Sequence, residues 1–426
     1  MRGVTQLSGS FETYFTQQGD PDYLIEARRK AMRSYESLDI PRFEKSDLTH
    51  RNLAAFKIEA AAAGNTWQAI ADPYLAQDGQ SSVLVIADGQ VVLKRGLEQV
   101  EANGAVFTNL RSAAVSHRKL VEKHLGTAVS YDENQLISLQ TALWRDGAFI
   151  YVPSGVTLTE PLQLICVTTA SGHGSFPRNL IIAEASSAVT LYDAYLAAET
   201  ITDELHVGVT EVVVGPDAHV VVGSVQDFPK AATTILSRRA NVGKNGRMDW
   251  VFGELSEGFT VADFGSVLQG DGSKSTSHAI AVGIGRAHID MTARMIHIGR
   301  FSESDTMARG VMQGRSNGVY RGFTQIHKGA SGSDGQQTEK LLMLSPQSRA
   351  DAIPMLLIDE NDVKCGHAAS VGQISEDQLF YLMSRGISER DAKAMIVWGF
   401  LQPVLAEISI ERMREAVTSM LERKMA

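Results

Sequence analysis

The sequence DENDVKCGHAASVGQISEDQLFYLMSRG, from Asp359 to Gly386, marks a boundary between two kinds of structure. Its first half is typical of a strand, in which Cys365 and His367 lie two residues apart and emerge on the same face. Its second half predicts a helix, because Ser375 precedes an acidic first turn like a capping box and Gly386 provides a left-handed stop. A thiol and an imidazole, which suit iron or zinc, therefore lie at this junction.

Upstream of the junction the chain is rich in strand-forming residues from Trp144 onward, with runs such as LQLICVTT, ELHVGVTEVVVGPDAHVVVGSV and KLLMLS. Turn clusters built on Gly, Asn, Asp or Ser recur about every 25–30 residues, which indicates the stacked coils of a solenoid. No long helical pattern interrupts these strands, and this disfavours a sheet of βαβ units. A parallel β-helix and a large antiparallel sandwich or barrel remain, and small residues within the runs, such as Ala183 and Gly243, favour the narrow interior of a β-helix.

Downstream of the junction the pattern is helical. An apolar stripe at helical spacing predicts one helix, which Pro403 is expected to break. The stripe consists of Ala392, Met395, Ile396, Gly399 and Phe400. A last helix is expected from Ser409 to about Lys424. One face of this tail is expected to cover the open end of the solenoid, and the other face is available to a partner.

The N-terminal third predicts helices with one hairpin. A helical segment opens at Pro21 and stops before Pro41, and its basic residues Arg28, Arg29, Lys30 and Arg33 are interpreted as a solvated face. Asp88-Gly89 between two apolar runs predicts a β-hairpin, and helices follow over Ser112–Leu125 and Asn134–Leu143. Three domains result: a helix-rich domain with a short β segment over 1–143, a β-helix core over 144–373 and a helical domain over 374–426.

Composition excludes several classes of function. The 426 residues carry a net charge of −9, with 44% hydrophobic and 21% charged residues, which is typical of a globular protein and argues against nucleic acid as a partner. No apolar run is long enough to cross a membrane, and the opening MRGVTQLSGSFETYF lacks the apolar region of a secretion signal. Two cysteines, Cys166 and Cys365, are too few for a disulfide framework. We expect a cytoplasmic protein.

Enzyme signatures are missing from the sequence. No phosphate-binding G-x-x-x-x-G-K-[ST] motif and no G-x-S-x-G motif occur, and Gly283-Ile284-Gly285 is only part of a dinucleotide fingerprint. An iron–sulfur cluster is usually held by four cysteines, twice the number present, so no cofactor is expected to be bound stably by this chain alone. The sequence predicts that the chain is not an enzyme.

The segments GHAASVGQI and DQLFYLMSRGIS, with a following helix that ends in Gly399-Phe400, resemble the C-terminal signature of the SufB/SufD family of iron–sulfur cluster assembly proteins. The resemblance extends, with lower specificity, over the β-rich middle and the N-terminal third. Ala368 follows His367 where B-type members usually have a glutamate, so the chain is more similar to D-type members. The resemblance implies a right-handed parallel β-helix between helical regions.

The same resemblance implies a function and a site. The chain would be a non-catalytic assembly subunit that pairs with a SufB-like paralogue, or with itself as a homodimer, and docks a SufC-like ATPase through its helical tail. A nascent iron–sulfur cluster would be shared transiently with the partner subunit. His367 matches the histidine that contributes to cluster assembly in D-type members, and Cys365 is a second candidate. Trp398 and Phe400 are the candidate anchors for the ATPase.

Two alternatives stay open at this point. One is a β-helix carbohydrate-active enzyme, in which acidic residues such as Asp193, Asp227, Glu254 and Asp263 would line a groove, although no spacing singles out a pair. The other is a homodimeric scaffold without a site. The remaining histidines of the β region are interpreted as structural, and Cys166, in an apolar strand, as a small hydrophobic residue. Those histidines are His173, His206, His219, His278, His288, His297 and His327.

Overall fold

Two long sheets form the body of the protein in a computed structural model. The structure describes residues 14, 19–51, 53, 56–57, 66–75, 81–202, 204–407 and 411–425. The first sheet has ten strands in the order β19-β17-β15-β13-β11-β9-β7-β5-β1-β2, and the second has nine in the order β18-β16-β14-β12-β10-β8-β6-β4-β3. From β4 to β19 successive strands alternate between the sheets, and every pairing among them is parallel. This is a parallel β-solenoid, as the sequence predicts.

The strands have the following bounds: β1 Val83–Ala87, β2 Gln90–Arg95, β3 Val106–Asn109, β4 Ala148–Val152, β5 Leu162–Thr168, β6 Arg178–Ala183, β7 Ala188–Ala197, β8 Glu204–Val214, β9 His219–Asp227, β10 Ala232–Val242, β11 Arg247–Glu254, β12 Phe259–Leu268, β13 Lys274–Gly283, β14 His288–His297, β15 Glu303–Met312, β16 Asn317–Ile326, β17 Asp334–Met343, β18 Arg349–Ile358 and β19 Lys364–Gln373. The described helices are α1 Asp22–Ser37, α2 Thr66–Ala71, α3 Leu97–Glu101, α4 Leu110–Ser116, α5 Arg118–His124, α6 Gln135–Leu143, α7 Glu376–Ser384, α8 Glu389–Glu407 and α9 Glu411–Met425.

The coils follow the turn spacing of the sequence. Aligned residues on successive strands of the first sheet are Asp193, Ser224, Phe252, Ala279, Ala308, Glu339 and Ala369. The chain therefore advances 27 to 31 residues per coil in this sheet. Turns stack as well as strands do: Asp217 and Asn245 both have positive φ, and the Asn245 amide donates to Asp217 over 3.0 Å. Short polar side chains tolerate this left-handed backbone, which explains the Asn and Asp of the turn clusters.

The N-terminal end of the solenoid, which we call the closed end, is plugged. The predicted hairpin is present as β1 and β2, with Asp88 at φ 50° and Gly89 at φ 78° as its two turn residues. Val100, on the short helix α3, and Phe107, on β3, are both buried in the interior apolar cluster. Antiparallel strands β2 and β3 form the sheet edges at this end, so neither sheet begins with a bare parallel strand.

The N-terminal helices cover the outer face of the second sheet. Leu24 and Tyr35 of α1 share a buried cluster with Leu180 and Val207 of that sheet. The structure corrects the interpretation of Arg28, which is 1% exposed rather than solvated. Its guanidinium donates to Asp20 and to the Ala142 carbonyl, both over 2.8 Å, and stacks 4.6 Å from the Trp144 ring centre. Burial of a charged group is tolerated there because it is paired and hydrogen-bonded.

The predicted helices of this region are otherwise present within the described residues. The stretch expected over Ser112–Leu125 is divided at His117 into α4 and α5. Asn134 caps α6 by accepting from two backbone N–H groups, over 3.0 and 3.1 Å. Farther along the second sheet, the segment around Ser46 packs across β14, where the Ser46 hydroxyl contacts His288 Nε2 over 2.8 Å and also bonds to Asp290. The helical segments expected before residue 19 and between 58 and 65 lie outside the described residues.

The helical tail does not cover the end of the solenoid, which corrects the expectation from the sequence. Helices α8 and α9 instead pack along the outer face of the first sheet, where Leu401 and Val417 share a buried cluster with Val251 and Ile280. That face is apolar along its length, and burying one leucine against it contributes about 1.5–3 kcal/mol. The sheet face therefore takes the apolar side of the tail, and the C-terminal end of the solenoid stays uncovered within the described chain.

Pro403 does not break the tail helix, contrary to expectation, because α8 continues to Glu407. Leu401, Val404 and Leu405, on both sides of the proline, are at most 3% exposed. Their burial against the sheet offsets the loss of one backbone hydrogen bond. Within the described residues, no helix combines the length and the apolar content that a membrane span needs.

Candidate functional site

The last coil of the solenoid, strands β18 and β19, is the uncovered end, which we call the open end. In both sheets the pairing stops here, so the outer edges of β18 and β19 have no neighbouring strand among the described residues. Met355, Leu357, Ile358 and Val371 of these strands are between 36% and 49% exposed. Long apolar edge strands are sites of association, and proteins normally cover or charge them.

Cys365 and His367 lie on β19, on the same face, as the sequence predicts. Cys365 is aligned with Gly335 and His367 with Gln337, both on β17. Gln337 is 3% exposed and bonds to Thr324 of the opposite sheet over 2.6 Å, so this face of β17 is turned into the solenoid. The face of β19 that carries the thiol and the imidazole therefore continues the interior of the solenoid at its open mouth.

The two side chains differ in their surroundings. His367 is exposed, whereas Cys365 is half-buried. Burial, with a smaller contribution from the Asp334 carboxylate, raises the pKa of the Cys365 thiol, so the sulfur is protonated at neutral pH. A thiol must lose its proton to bind a metal. The exposed His367 imidazole is the more accessible of the two side chains to an incoming metal ion.

No complete metal site accompanies this pair: among the residues that the structure describes, no three His, Cys, Asp or Glu side chains form a metal-binding group. Two ligands on one strand are half of a site, and both belong to an edge that is free for another chain. A cluster at this position would need donors from a partner.

The tail offers a second surface, and it differs from the predicted stripe. Met395, Ile396 and Gly399 line a groove of about 850 Å³ between α7 and α8, together with Tyr381 and Leu382. Met395 is 52% and Tyr381 is 56% exposed, so these three residues of the stripe face the groove and not the sheet. The other two do not line it, because Ala392 is 0% exposed and Phe400 packs beside the sheet. The residues buried against the sheet are Val397, Leu401 and Val404.

Trp398 and Phe400 are half-buried beside that contact with the sheet. The Arg309 guanidinium lies 5.2 Å from the centre of the Phe400 ring. Larger exposed areas belong to Phe380, which is 74% exposed, and to Tyr381, both on α7. No pattern in the sequence singles out Phe380 and Tyr381, because their exposure depends on how α7 folds away from the sheet.

Two of the other histidines in the β region are clearly structural. His206 and His297 are at most 1% exposed, and burial lowers their pKa to about 3 and about 4. Serine hydroxyls contact His297 on both ring nitrogens, over 2.9 and 2.8 Å, and Ser175 contacts His206 over 3.1 Å. Cys166 is buried in the interior cluster, and burial raises the pKa of its thiol well above the usual range.

Comparisons with known proteins agree over most of the chain. Residues 166–400 match the family model described as "SUF system FeS cluster assembly, SufBD core domain", and residues 12–164 match the "SufBD protein N-terminal region". The chain is 32% identical to the iron–sulfur cluster assembly protein SufD of Bacillus subtilis (strain 168) over 421 residues, which cover 97% of this chain and 96% of the relative. It is 29% identical to an iron–sulfur cluster assembly SufBD family protein of Staphylococcus aureus (strain USA300), with 92% and 88% covered.

Proposed function

The chain belongs to the SufBD family of iron–sulfur cluster assembly proteins, and from that premise we propose that it is the D-type, non-catalytic subunit of a SUF assembly scaffold. In this proposal the open end pairs with a B-type paralogue, the helical tail docks an ATPase, and a nascent cluster forms transiently at the contact. The cluster is cargo, and it leaves for an acceptor protein.

The observation that carries the proposal is the coincidence of two features on one coil. His367 stands at the mouth of the solenoid, and the edges beside it expose Leu357, Ile358 and Val371. A partner with a matching parallel edge would extend both sheets and bury these side chains, which is how sheet edges are recognised by added strands. The same contact would surround His367 with the partner's donors and exclude water.

Two residues of this chain, His367 and Cys365, would take part in cluster assembly as ligands or proton acceptors. The His367 imidazole would bind an iron ion of the growing cluster or accept a proton from a donor thiol. The half-buried Cys365 would bind only after losing its proton. No residue of this chain needs to react with ATP, since the phosphate-binding motif is missing from the sequence. ATP hydrolysis would occur in the docked ATPase.

The groove between α7 and α8 supports docking by the tail. Tyr381 and Met395 present apolar surface on its rim, and aromatic side chains with exposed faces are common anchors at interfaces. Trp398 and Phe400 stay in the proposal as residues that brace α8 against the sheet beneath the groove. Docking there would leave the open end free for the paralogue.

The test is substitution of His367 in the complex purified from the native cell. His367→Ala removes an exposed ring, so we expect a change in stability of only about 0–1.5 kcal/mol. Iron and acid-labile sulfide per complex should fall several-fold, while the paralogue and the ATPase stay bound. Cys365→Ser should lower cluster content less, because its sulfur is protonated and half-buried.

His327→Ala is the control, because His327 lies in the same late part of the β region, directly after β16, and outside the strand that carries His367. Its cluster content should equal that of the unaltered complex. Cluster assembly at the unaltered level in His367→Ala, with the complex intact, would contradict the assignment of His367. Purification of this chain only as a homodimer, without a paralogue, would contradict the pairing.

The carbohydrate-enzyme alternative has no support from the acidic residues on which it depends. Asp193 is 0% exposed and is paired with Arg238 inside the solenoid over 3.3 Å. Asp263 is paired with Arg239 over 2.7 Å and with Arg294 over 2.9 Å. Asp227 is held by Lys424 of the tail over 3.4 Å. These carboxylates serve ion pairs and do not line a groove as two facing acids.

A further inference from the structure

One corner of the solenoid is built on a column of residues with left-handed backbone. At seven successive turns from the second sheet to the first, one residue has positive φ, and its backbone N–H donates to a carbonyl of the next turn over 2.7 to 2.9 Å. Glycine adopts this conformation freely, and short polar side chains tolerate it. The seven residues are Gly155, Ser186, Asp217, Asn245, Gly272, Phe301 and Gly332.

Phe301 is the exception in this column. Its φ is 57°, as in Ser186 and Asp217, but its side chain is a bulky aromatic ring. In a bulky residue this conformation is an outlier that destabilises the folded chain. Burial of the ring does not offset the strain, because Phe301 is 61% exposed. Strained residues of this kind cluster at sites of function, so the ring needs an explanation other than packing.

The Phe301 ring extends toward the open end. Gly332 has the same place in the next turn, and a Cβ atom on it would collide with the ring. The Gly332 N–H in turn donates to the Asp362 carbonyl of the last turn over 2.7 Å, and the Ser331 hydroxyl donates to the Asp362 carboxylate over 2.7 Å. The ring therefore lies over the last turn but one, roughly 5 Å from the last turn of the solenoid.

The exposed apolar side chains of the solenoid are concentrated at this end. Among the described residues from 144 to 373, the large apolar side chains that are exposed lie either on the last coil or on the turn between β14 and β15. Earlier coils have none in the described part of that range. The side chains of the last coil are Met355, Leu357, Ile358 and Val371, and those of the turn are Ile298, which is 46% exposed, and Phe301.

The two sets share one corner of the solenoid. Leu357 and Ile358 directly precede the last turn, and Ile298 and Phe301 belong to the turn two coils earlier in the same column. Two strand spacings, roughly 10 Å, separate these turns. A chain that adds a strand to the β18 edge and continues along the corner for this distance would cover the Phe301 ring.

We propose that Phe301, with Ile298 beside it, anchors the same chain that pairs with the open edges. Under the proposed function, on which the identity of the partner rests, this chain is the B-type paralogue. A phenylalanine has few rotatable bonds and buries a large apolar area on contact, which makes exposed aromatic rings effective anchors. The contact would offset the backbone strain that the isolated chain retains at this turn.

The experiment is Phe301→Asn in the full-length chain, with the affinity for the purified B-type paralogue measured by sedimentation. Asparagine tolerates the left-handed backbone, as Asn245 does in the same column. We expect the affinity to fall at least tenfold, which corresponds to about 1.4 kcal/mol. The melting temperature of the isolated chain should stay the same or rise, because strain is removed. Phe301→Tyr keeps the ring and should bind nearly as well as the unaltered chain.

Ser186→Asn is the matched control, because Ser186 has the same φ of 57° in the same column but lies near the closed end. It should leave the affinity for the paralogue unchanged. Equal affinity of Phe301→Asn and the unaltered chain would overturn the inference. A lower melting temperature of Phe301→Asn would also contradict it, since the ring would then be retained for packing. Loss of ATPase binding or of self-association, with the paralogue still bound, would assign the ring to a different partner.

The inference and the proposed function fail in different ways. If lysines at Leu357 and Val371 abolish pairing while Phe301→Asn binds normally, the open edges pair with the paralogue and only the anchor is refuted. If Phe301→Asn abolishes pairing while the lysines do not, the paralogue binds at the corner and the proposed pairing of the edges is refuted. Pairing that survives both changes would refute both.

Discussion

The two ends of the solenoid are built differently. At the closed end, Val100 of α3 plugs the interior, and every residue of β5 is buried. At the open end no residue of β18 or β19 is fully buried, and apolar side chains face solvent along both edges. A solenoid needs a cap at each end, because an uncovered coil exposes its interior and its unpaired edges. The end without a cap among the described residues is therefore the end at which the proposed paralogue would bind.

The interior near the closed end contains paired polar groups. The charged Asp193 and Arg238 form an ion pair over 3.3 Å, and Asn179 bonds to the Tyr195 hydroxyl over 2.6 Å. Buried polar atoms without a partner nevertheless occur near both ends, for example His206 Nε2 near the closed end and Tyr320 Oη near the open end. The two ends therefore differ in their caps and edges and not in the pairing of their interior groups.

The largest effect that separates the two ends should come from charging the open edges. Leu357→Lys combined with Val371→Lys puts two charges on the apolar strip, and desolvating them on pairing is unfavourable. We expect the affinity for the B-type paralogue to fall at least a hundredfold, which corresponds to about 3 kcal/mol. Sedimentation of mixed subunits measures this directly.

Val115→Lys is the control for that pair, because Val115 is 67% exposed on the N-terminal region, far from the open edges in the fold. It should leave pairing unchanged. Pairing that survives the double substitution would mean that the open end is not the contact, and the comparison between the ends would lose its functional meaning.

A second effect should separate the ends in the isolated chain. Leu164→Ala, at a position 0% exposed inside the closed end, should lower the free energy of unfolding by about 2–5 kcal/mol. Leu357→Ala, at a position 49% exposed on β18, should cost less than about 1 kcal/mol. Denaturant unfolding of both variants gives the two values. Equal costs would mean that the open end is as well packed as the closed end.

Much of the fold could be predicted because its signals are local. The turn residues repeat with each coil, and the Asp88-Gly89 hairpin and the Asn134 cap follow from short motifs. The placement of Cys365 and His367 on one face of a strand followed from their spacing alone. Family resemblance was needed only to choose the parallel β-helix over an antiparallel sandwich or barrel.

The predictions failed where the local sequence allows two arrangements and only tertiary contacts decide between them. Helix α8 is apolar on two sides, and periodicity could not tell that Val397 and Leu401 face the sheet while Met395 faces α7. Arg28 looked solvated because its partner Asp20 and the Ala142 carbonyl meet it only in the folded chain.

The inward position of Glu339 was not predicted, for a related reason. The run Asp334–Met343 has polar residues at alternate positions of both parities, so its inward side was not apparent from the sequence. Only the register with β19 and the contact with Gly322 place Glu339 inside the solenoid.

The smallest effect should be a dependence of stability on pH that originates near the closed end. Glu204 on β8 is 2% exposed, and burial, with a smaller contribution from Asp88, raises its pKa to about 8, while the Thr168 hydroxyl opposes the shift. The folded chain therefore holds a proton on Glu204 between about pH 4.5 and 8, whereas the unfolded chain has lost it. The protonation of Glu204 therefore makes its full contribution to the free energy of unfolding below about pH 4.5, and this contribution is lost as the pH rises toward 8.

Glu204→Gln should remove that loss, because the amide stays neutral at every pH. We expect the free energy of unfolding of the unaltered chain to fall more steeply between pH 5 and 8 than that of the variant, by up to about 1.4 kcal/mol per pH unit. Glu160→Gln, at an exposed position in the same part of the fold, should keep the steeper slope. Parallel slopes for the unaltered chain and Glu204→Gln would mean that Glu204 is ionised in the folded state. The interior near the closed end would then hold an ionised carboxylate in spite of its burial.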